Sequence, residues 1–160
     1  MLTNNLIKEL NKALPKENVL SDVEERYVYS VDASNDPYIK STLPDAIVFV
    51  ENIEQVQKVV KIANEQMIPI ICRGAGTNTV GACVSTHGGI ILNFSKMNKI
   101  LEINSENMTA KVQPGVIVGD LQQAVEKVGL FYPPDPSNLK VSTIGGSIAQ
   151  NSAGARCFKY

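Results

Sequence analysis

Apolar residues recur at helical spacing from the start of the chain: Leu2, Leu6, Ile7, Leu10, Ala13 and Leu14 predict a helix that Pro15 stops. The stretch to about Leu43 is mixed, with a turn at Asn35-Asp36-Pro37. A clearer pattern begins at Pro44-Asp45. Ala46-Ile47-Val48-Phe49-Val50 is β-rich and too apolar for an exposed strand. Asn52 is a good helix N-cap, and Gln55 three residues on makes a variant of the capping box. Ile53, Val56, Val59, Val60, Ala63 and Met67 then form one apolar helix face, with Glu54, Lys58, Lys61 and Glu65 turned outward as a solvated face. Ile68 to Cys72 predicts another short buried strand, so strand, helix and strand form a βαβ unit with parallel strands and a right-handed crossover. A third strand, Gly89 to Phe94, follows a glycine-rich loop.

The pattern then changes. Ile100 to Asn104 and Thr109 to Gln113, separated by Ser105-Glu106-Asn107, predict an antiparallel hairpin that Pro114-Gly115 ends. Leu121, Ala124, Val125 and Val128 mark a helix with Gly129 as its C′ residue. Phe131 to Pro136 is too rich in proline for regular structure, and a short helix is expected after Thr143-Ile144-Gly145-Gly146. The expectation is an α+β fold: a small parallel βαβ lobe followed by an antiparallel α+β lobe, without internal repeats or a low-complexity linker.

Composition narrows the function. The chain has 160 residues, 44% apolar and 19% charged, enough for one domain with a real core. With 15 basic and 16 acidic side chains it has no excess positive field for nucleic acid or anionic membranes. No apolar run approaches the roughly 20 residues of a membrane span. Leu2 to Leu14 is neither a secretory signal nor a transit peptide, so a cytoplasmic location is expected. Cys72, Cys83 and Cys157 contain no CxxC pair, and His87 is the only histidine. A disulfide framework, a zinc site or a Ser-His-Asp triad inside this chain is therefore not expected. The chemistry must come largely from something bound.

The glycine-rich loop Arg73-Gly74-Ala75-Gly76-Thr77-Asn78-Thr79-Val80-Gly81 leaves the second strand with no helical pattern after it. Glycines let successive N–H groups converge on an anion. A Walker loop needs a Gly-Lys-Ser/Thr ending, and there is no lysine here. A dinucleotide fingerprint needs a third small residue where Thr79 stands, then a helix, and both are missing. The loop alone could be a mere turn. A second element changes the balance: Thr143-Ile144-Gly145-Gly146-Ser147, at a helix start, should present unpaired N–H groups to a phosphate. Arg73 is the one basic residue in either element.

Arg73-Gly-Ala-Gly-Thr-Asn resembles the R-G-G/A-G-T-S/N loop of the vanillyl-alcohol-oxidase-type (PCMH-type) FAD domain. The order of other segments is similar too: Pro44 to Val48, Asn93 to Leu101, Val112 to Val116, Gly129 to Ser137, Thr143 to Gly146 and Asn151 to Gly154. Within that superfamily the chain is most similar to the group that contains D-lactate dehydrogenase, D-2-hydroxyglutarate dehydrogenase and the flavin-binding component of glycolate oxidase. The resemblance implies a helix and lead-in over 1–43, an FAD-binding domain over 44–160 that is incomplete at its C-terminus, and an FAD cleft between the two lobes. It implies that Gly74, Ala75, Gly76, Thr77 and Asn78, framed by Arg73 and Gly81, hold the FAD diphosphate. Pro134 and Asp135 would lie along the cofactor. Thr143, Gly145, Gly146 and Ser147 would close over it, with Asn151 and Gly154 nearby.

The implied reaction is hydride transfer from the α-carbon of a 2-hydroxy acid to flavin. Some relatives tether FAD through a histidine in the loop; Ala75 to Thr79 contain none, so non-covalent FAD is expected. No catalytic residue is assigned, because the resemblance places the substrate domain beyond Tyr160, in a missing C-terminal part or a separate chain. His87 is read as a turn residue, Cys72 as a small apolar strand residue and Cys83 as partly exposed without a nucleophile's role. Asp32 and Tyr27 could approach the flavin or a partner domain, with surface packing the favoured reading. Two rival readings stand beside this one: a cofactor-free interaction module, with a possible homodimer, and an FAD domain with another substrate.

Overall fold

The strand residues Ala46, Ile47, Val48, Ile90, Ile91 and Leu92 are buried to the last percent because they occupy the middle of a four-stranded sheet. The computed structural model describes residues 2–35 and 37–160, grouped into two units, Met1–Lys96 and Met97–Tyr160. The elements of the first unit are α1 (Leu2–Ala13), β1 (Val19–Leu20), α2 (Val23–Tyr29), β2 (Ala46–Phe49), α3 (Ile53–Glu65), β3 (Ile70–Arg73) and β4 (Ile90–Asn93). The strand order is β1-β2-β4-β3. Both β2 and β3 run parallel to β4, as the βαβ pattern requires, and β1 pairs antiparallel with β2. The turn expected at Asn35-Asp36-Pro37 includes Asp36, which lies outside the described residues.

The parallel register sets Phe49, Asn93 and Arg73 side by side at the carboxyl ends of β2, β4 and β3. In open α/β sheets, ligands bind beyond that end. The glycine loop therefore starts where a binding site is expected. One expectation fails here: β3 is not a buried strand. It is the sheet's edge, with Ile70 and Ile71 only half-buried and Cys72 exposed. An apolar run reports that a strand can be buried, whereas its place in the sheet depends on long-range pairing.

The helices cover the sheet through Leu6, Leu10 and Leu14 of the first segment and Val59 and Ala63 of α3. Between α1 and α3, Gln66 Nε2 donates to Glu9 Oε2 at 2.7 Å and Lys58 Nζ to the Ala13 carbonyl at 3.4 Å. Asn52 caps α3 as expected, its Oδ1 accepting from Gln55 N–H at 2.9 Å. The return bond goes one residue further than in a capping box: Glu51 N–H donates to Gln55 Oε1 at 2.8 Å. The apolar face of α3 is narrower than the spacing predicted, because Ile53, Val60 and Met67 are exposed.

Met67 is exposed because it no longer belongs to the helix. Its N–H bonds the Asn64 carbonyl at 3.2 Å and the next N–H, of Ile68, reaches back to Ala63 at 2.8 Å. This Schellman closure puts Met67 at φ 54°, the left-handed region, with the side chain 87% exposed. Met67→Gly relieves roughly 1–2 kcal/mol of left-handed strain. The greater freedom of an unfolded glycine offsets part of that gain. The expected result is a net stabilisation of about 0.5–1 kcal/mol in urea unfolding, and a destabilised variant would contradict it.

The second unit holds β5 (Ile100–Asn104), β6 (Thr109–Val112), α4 (Val118–Glu126) and α5 (Ile144–Ala149). β5 and β6 form the predicted antiparallel hairpin, with Asn104 opposite Thr109. Val116, Val118, Leu121, Val125 and Ile144 make its buried core, with Ile100, Ile103, Val112, Leu130, Tyr132 and Leu139 packed against it. Gly129 closes α4 as expected: its N–H bonds Glu126 at 3.0 Å and Leu130 N–H bonds Val125 at 3.0 Å. Val128 is exposed rather than on the apolar face, since α4 has ended two residues earlier.

Candidate functional site

The loop after β3 turns at Gly76 (φ 71°) and again at Gly81 (φ 72°). The backbone N–H groups of Ala75, Gly76, Thr77, Asn78 and Thr79 donate to no protein acceptor among the described residues. Gly76, Thr77 and Asn78 are nonetheless half-buried. A run of unpaired, partly buried amides is costly unless something with lone pairs sits on it. The Asn78 side chain is occupied internally, its Oδ1 accepting from Val80 N–H at 3.1 Å and Ala82 N–H at 3.0 Å. Gly81 lies where a β-carbon would meet Ile39 Cδ1 at 2.6 Å.

Arg73 does not reach outward. Its Nη1 donates to the Val31 carbonyl at 2.7 Å and the Tyr29 carbonyl at 3.3 Å. Its guanidinium lies 5.4 Å from the Tyr29 ring centre, and that ring packs edge-on against Phe49 at 5.8 Å. The Tyr29 carbonyl ends α2, where a cation also complements the helix dipole. A β-carbon on Gly76 would strike the same guanidinium. Arg73 thus frames the loop by holding its base.

Asp32, expected to be mere surface packing, completes the arrangement. Its Oδ1 accepts from Ser34 N–H at 2.9 Å and its Oδ2 from Cys83 N–H at 3.3 Å. Partial burial pushes the Asp32 carboxyl up, but the bonds from Ser34, Cys83 and Asn78 outweigh it and hold the group below its ordinary value. The available sequence signal was Asp32-Ala33-Ser34, an Asx-turn pattern. Burial raises the Cys83 thiol, partly countered by Arg73, which fits the expectation that it is no nucleophile. His87 is exposed and bonded to Thr86.

In the second unit, the expectation of free N–H groups at α5 is overturned. Ile144 N–H donates to the Val116 carbonyl and Gly145 N–H to the Pro114 carbonyl, both at 2.8 Å. Gly146 N–H goes to Thr143 Oγ1 at 3.2 Å and Ser147 N–H to the Thr143 carbonyl at 2.9 Å. The Pro114-Gly115-Val116 turn and the Thr143 cap use the donors that the sequence pattern left for a phosphate. Gly145 is instead a contact glycine, since a β-carbon there would lie 2.7 Å from Pro114 Cβ. One group does remain open: Ser147 Oγ is buried and has no partner among the described residues. Asn151 ends α5 at φ 48°, with Ser152 N–H bonded back to Ser147 at 2.8 Å.

The Pro-rich segment is irregular, as predicted, and is fastened by a residue that sequence reasoning missed. Gln122 of α4 is buried, and its Nε2 donates to the Pro134 carbonyl at 2.7 Å and the Tyr132 carbonyl at 3.3 Å. Its signal was a long polar side chain beside Leu121 on the apolar face. Arg156 Nε lies 3.5 Å from Asp135 Oδ2, with its guanidinium 5.0 Å from the Phe131 ring centre. Gly154 packs directly on the Asp135 carbonyl, leaving no room for a side chain. An open cavity of about 760 Å³ is lined by Asp135, Pro136, Leu139, Lys140, Ala153 and Gly154. Thr143, Gly145, Gly146 and Ser147 do not line it.

A family model described as an FAD binding domain matches residues 44–160. The chain belongs to that family of FAD-binding domains. FAD is its cofactor. The domain is 46% identical over all 160 residues to the glycolate oxidase subunit GlcD of Bacillus subtilis (strain 168), and covers 33% of it. It is 39% identical to a D-lactate dehydrogenase of Anaerostipes hadrus, with 99% of this chain and 33% of that one covered. A D-2-hydroxyglutarate dehydrogenase of Stutzerimonas stutzeri (strain A1501) is 37% identical over 155 residues, 97% of this chain and 33% of that protein. The chain therefore spans about a third of the length of the curated relatives it matches.

Among solved structures, an alkyldihydroxyacetonephosphate synthase superposes with a TM-score of 0.85 at 27% identity, covering 98% of this chain and 31% of that one. A p-cresol methylhydroxylase with substrate bound superposes at 0.81 and 28% identity, covering 96% and 30%. The FAD-binding domain is thus of the expected α+β, vanillyl-alcohol-oxidase-type fold. Its residues fit the cofactor on two local observations: the unpaired amides of Ala75 to Thr79, and the partnerless buried hydroxyl of Ser147. Among the described residues, no helix is long and apolar enough to cross a membrane.

Proposed function

We propose that this FAD-binding domain is the cofactor-holding part of a flavin-dependent 2-hydroxy-acid dehydrogenase or oxidase of the glycolate or D-lactate type. The observation that carries the reading is the run of free amides from Ala75 to Thr79, a donor array suited to a diphosphate. The names of these similar relatives supply the hydroxy-acid class. Gly74, Ala75, Gly76, Thr77 and Asn78 hold the diphosphate through their backbone, with Arg73 and Gly81 framing them. Pro134 and Asp135 lie along the cofactor. Gly146 and Ser147 meet it from α5, while Thr143, Gly145, Asn151 and Gly154 shape the backbone around them.

When bound, FAD would supply the hydride acceptor for oxidation of the carbon bearing the hydroxyl. Residues 44–160 form the cofactor domain, with 1–43 as a lead-in. Substrate carboxylate binding and hydroxyl deprotonation belong to a substrate domain, in the same protein or a separate chain. The cofactor is non-covalent, since Ala75 to Thr79 offer no histidine, and the protein works in the cytoplasm. A second role as an association module, pairing two copies, draws support from an apolar groove of about 510 Å³ that includes Val112, Leu130, Phe131 and the 73% exposed Ile148. A strict monomer in light scattering removes that alternative.

Titration of the 160-residue chain with FAD, followed by flavin fluorescence, tests the main reading. FAD is expected to bind and to be released on denaturation. ADP should compete, because it carries the diphosphate, and riboflavin should not. A chain that takes up no FAD, or one from which ADP displaces nothing, refutes the assignment of the loop.

A further inference from the structure

We infer that the segment 29–34, which precedes the residues matched by the family model, sets the shape of the diphosphate cradle through side-chain latches. Arg73 and Asp32 are then positioning residues and not ligands of the cofactor. The inference rests on the reading of the loop as the diphosphate site.

A glycine-rich loop without regular structure has many conformations, and a ligand that selects one must overcome that freedom. Five unpaired amides in a row make matters worse, since the loop's own side-chain ties, from Asn78 Oδ1 to Val80 and Ala82 N–H, fix only its far half. The holding groups come from outside. At the loop's base, Arg73 Nη1 grips the Val31 and Tyr29 carbonyls at 2.7 and 3.3 Å. In its middle, the Gly76 carbonyl accepts from Ala33 N–H at 3.1 Å. At its far end, Cys83 N–H donates to Asp32 Oδ2 at 3.3 Å. The three ties fall at the start, centre and end of the cradle.

Charge supports the same assignment. A guanidinium beside a diphosphate invites the reading of a direct ion pair, yet this one donates through Nη1 to two carbonyls, lies against the Tyr29 ring and fills the space where a Gly76 β-carbon would stand. Asp32 is the harder fact to explain otherwise. A carboxylate beside a site for a dianion repels it, so its presence needs a compensating use. Its bonds from Ser34 and Cys83 commit both of its oxygens to the loop and its lead-in.

The test compares wild type, Asp32→Asn, Asp32→Ala and Arg73→Gln as full 160-residue chains. FAD affinity, the urea midpoint of the apo protein and backbone amide NMR shifts are measured for each. Each substitution should weaken FAD binding by about tenfold or more, the scale of losing a charge-assisted hydrogen bond. The apo midpoint should move far less than the affinity does. The salt dependence of FAD binding should keep its wild-type slope in Arg73→Gln, because no phosphate contact is lost. A flattened slope makes Arg73 a ligand and overturns its half of the inference. Unchanged affinity in the Asp32 variants overturns the other half.

The amide spectra separate this inference from the reading it rests on. If wild type binds no FAD, the diphosphate assignment fails. The latch is still expected to show in the apo protein, as shifts from Gly74 through Thr79 in Asp32→Asn. Shifts confined to residues 32–34 and 83 refute it.

Discussion

Gly89→Ala is expected to cost on the order of 3 kcal/mol or more, a large part of the 5–15 kcal/mol that holds a domain of this size together. Gly89 has φ 96°, where side chains are strained in any surroundings. A β-carbon there would lie 2.5 Å from the Pro69 carbonyl oxygen and 2.8 Å from Pro69 Cγ. That oxygen cannot retreat cheaply, since it accepts the Ile90 N–H at 2.9 Å at the entrance to β4. Gly89 is pinned from the other side as well. Its N–H donates to Asp45 Oδ2 at 2.7 Å and its carbonyl accepts from Asp45 N–H at 2.7 Å. The strand that follows is central, paired with β2 and β3 residue by residue, so displacement at its entrance disturbs two ladders. Urea unfolding followed by circular dichroism measures the loss. His87→Ala two residues away, at an exposed site, should stay within about 0.5 kcal/mol of wild type. A Gly89→Ala chain as stable as that control removes the argument.

Much of this fold is legible in the sequence because burial dictates periodicity. The strands of Ala46–Phe49 and Ile90–Asn93, the capped helix after Asn52 and the hairpin of the second unit all follow from where apolar residues recur. What stays hidden is local structure that buries little. β1 is two residues long, and α2 has no buried residue, with Tyr27 and Val28 facing solvent. Neither leaves a pattern to detect. The edge position of β3 is hidden for a different reason, since strand order is a long-range property that an apolar run does not encode.

The candidate site divides along the same line. Its glycines are visible one by one, but whether their amides are free depends on distant carbonyls. Two glycine elements that look alike in sequence therefore behave oppositely. The N–H groups of Ile144 and Gly145 find Val116 and Pro114, some thirty residues earlier, whereas those of Ala75 to Thr79 find no acceptor among the described residues. In the second element the glycines serve close packing, and the polar group left over is a serine hydroxyl. The use of Asp32 is hidden for want of the same information, because its partner Cys83 lies 51 residues away.

Gly76→Ala should separate binding from folding more sharply than any other single change in the chain. Like Gly89, Gly76 has positive φ, but the obstacle to a β-carbon is different. At Gly89 it is a fixed carbonyl, and at Gly76 it is the Arg73 guanidinium, the far end of a flexible side chain. That side chain can swing away, so the collision itself is cheap. The consequence falls on the loop. With the guanidinium displaced, the bonds to Val31 and Tyr29 are lost, and the alanine backbone relaxes out of the left-handed region. The apo protein then loses little stability, about 1 kcal/mol or less, because the loop finds another conformation. Binding must restore the original one. The left-handed strain of roughly 1–2 kcal/mol returns at that step, together with about 1.5–3 kcal/mol for the missing charge-assisted bonds. Affinity for FAD should fall by about a hundredfold or more. Parallel titrations and urea melts of the two variants decide it. Gly89→Ala should lose stability first and binding only as it unfolds, and Gly76→Ala should lose binding while remaining folded. If Gly76→Ala binds FAD as wild type does, the cradle does not depend on that backbone, and the amides of Ala75 to Thr79 are not where the diphosphate sits.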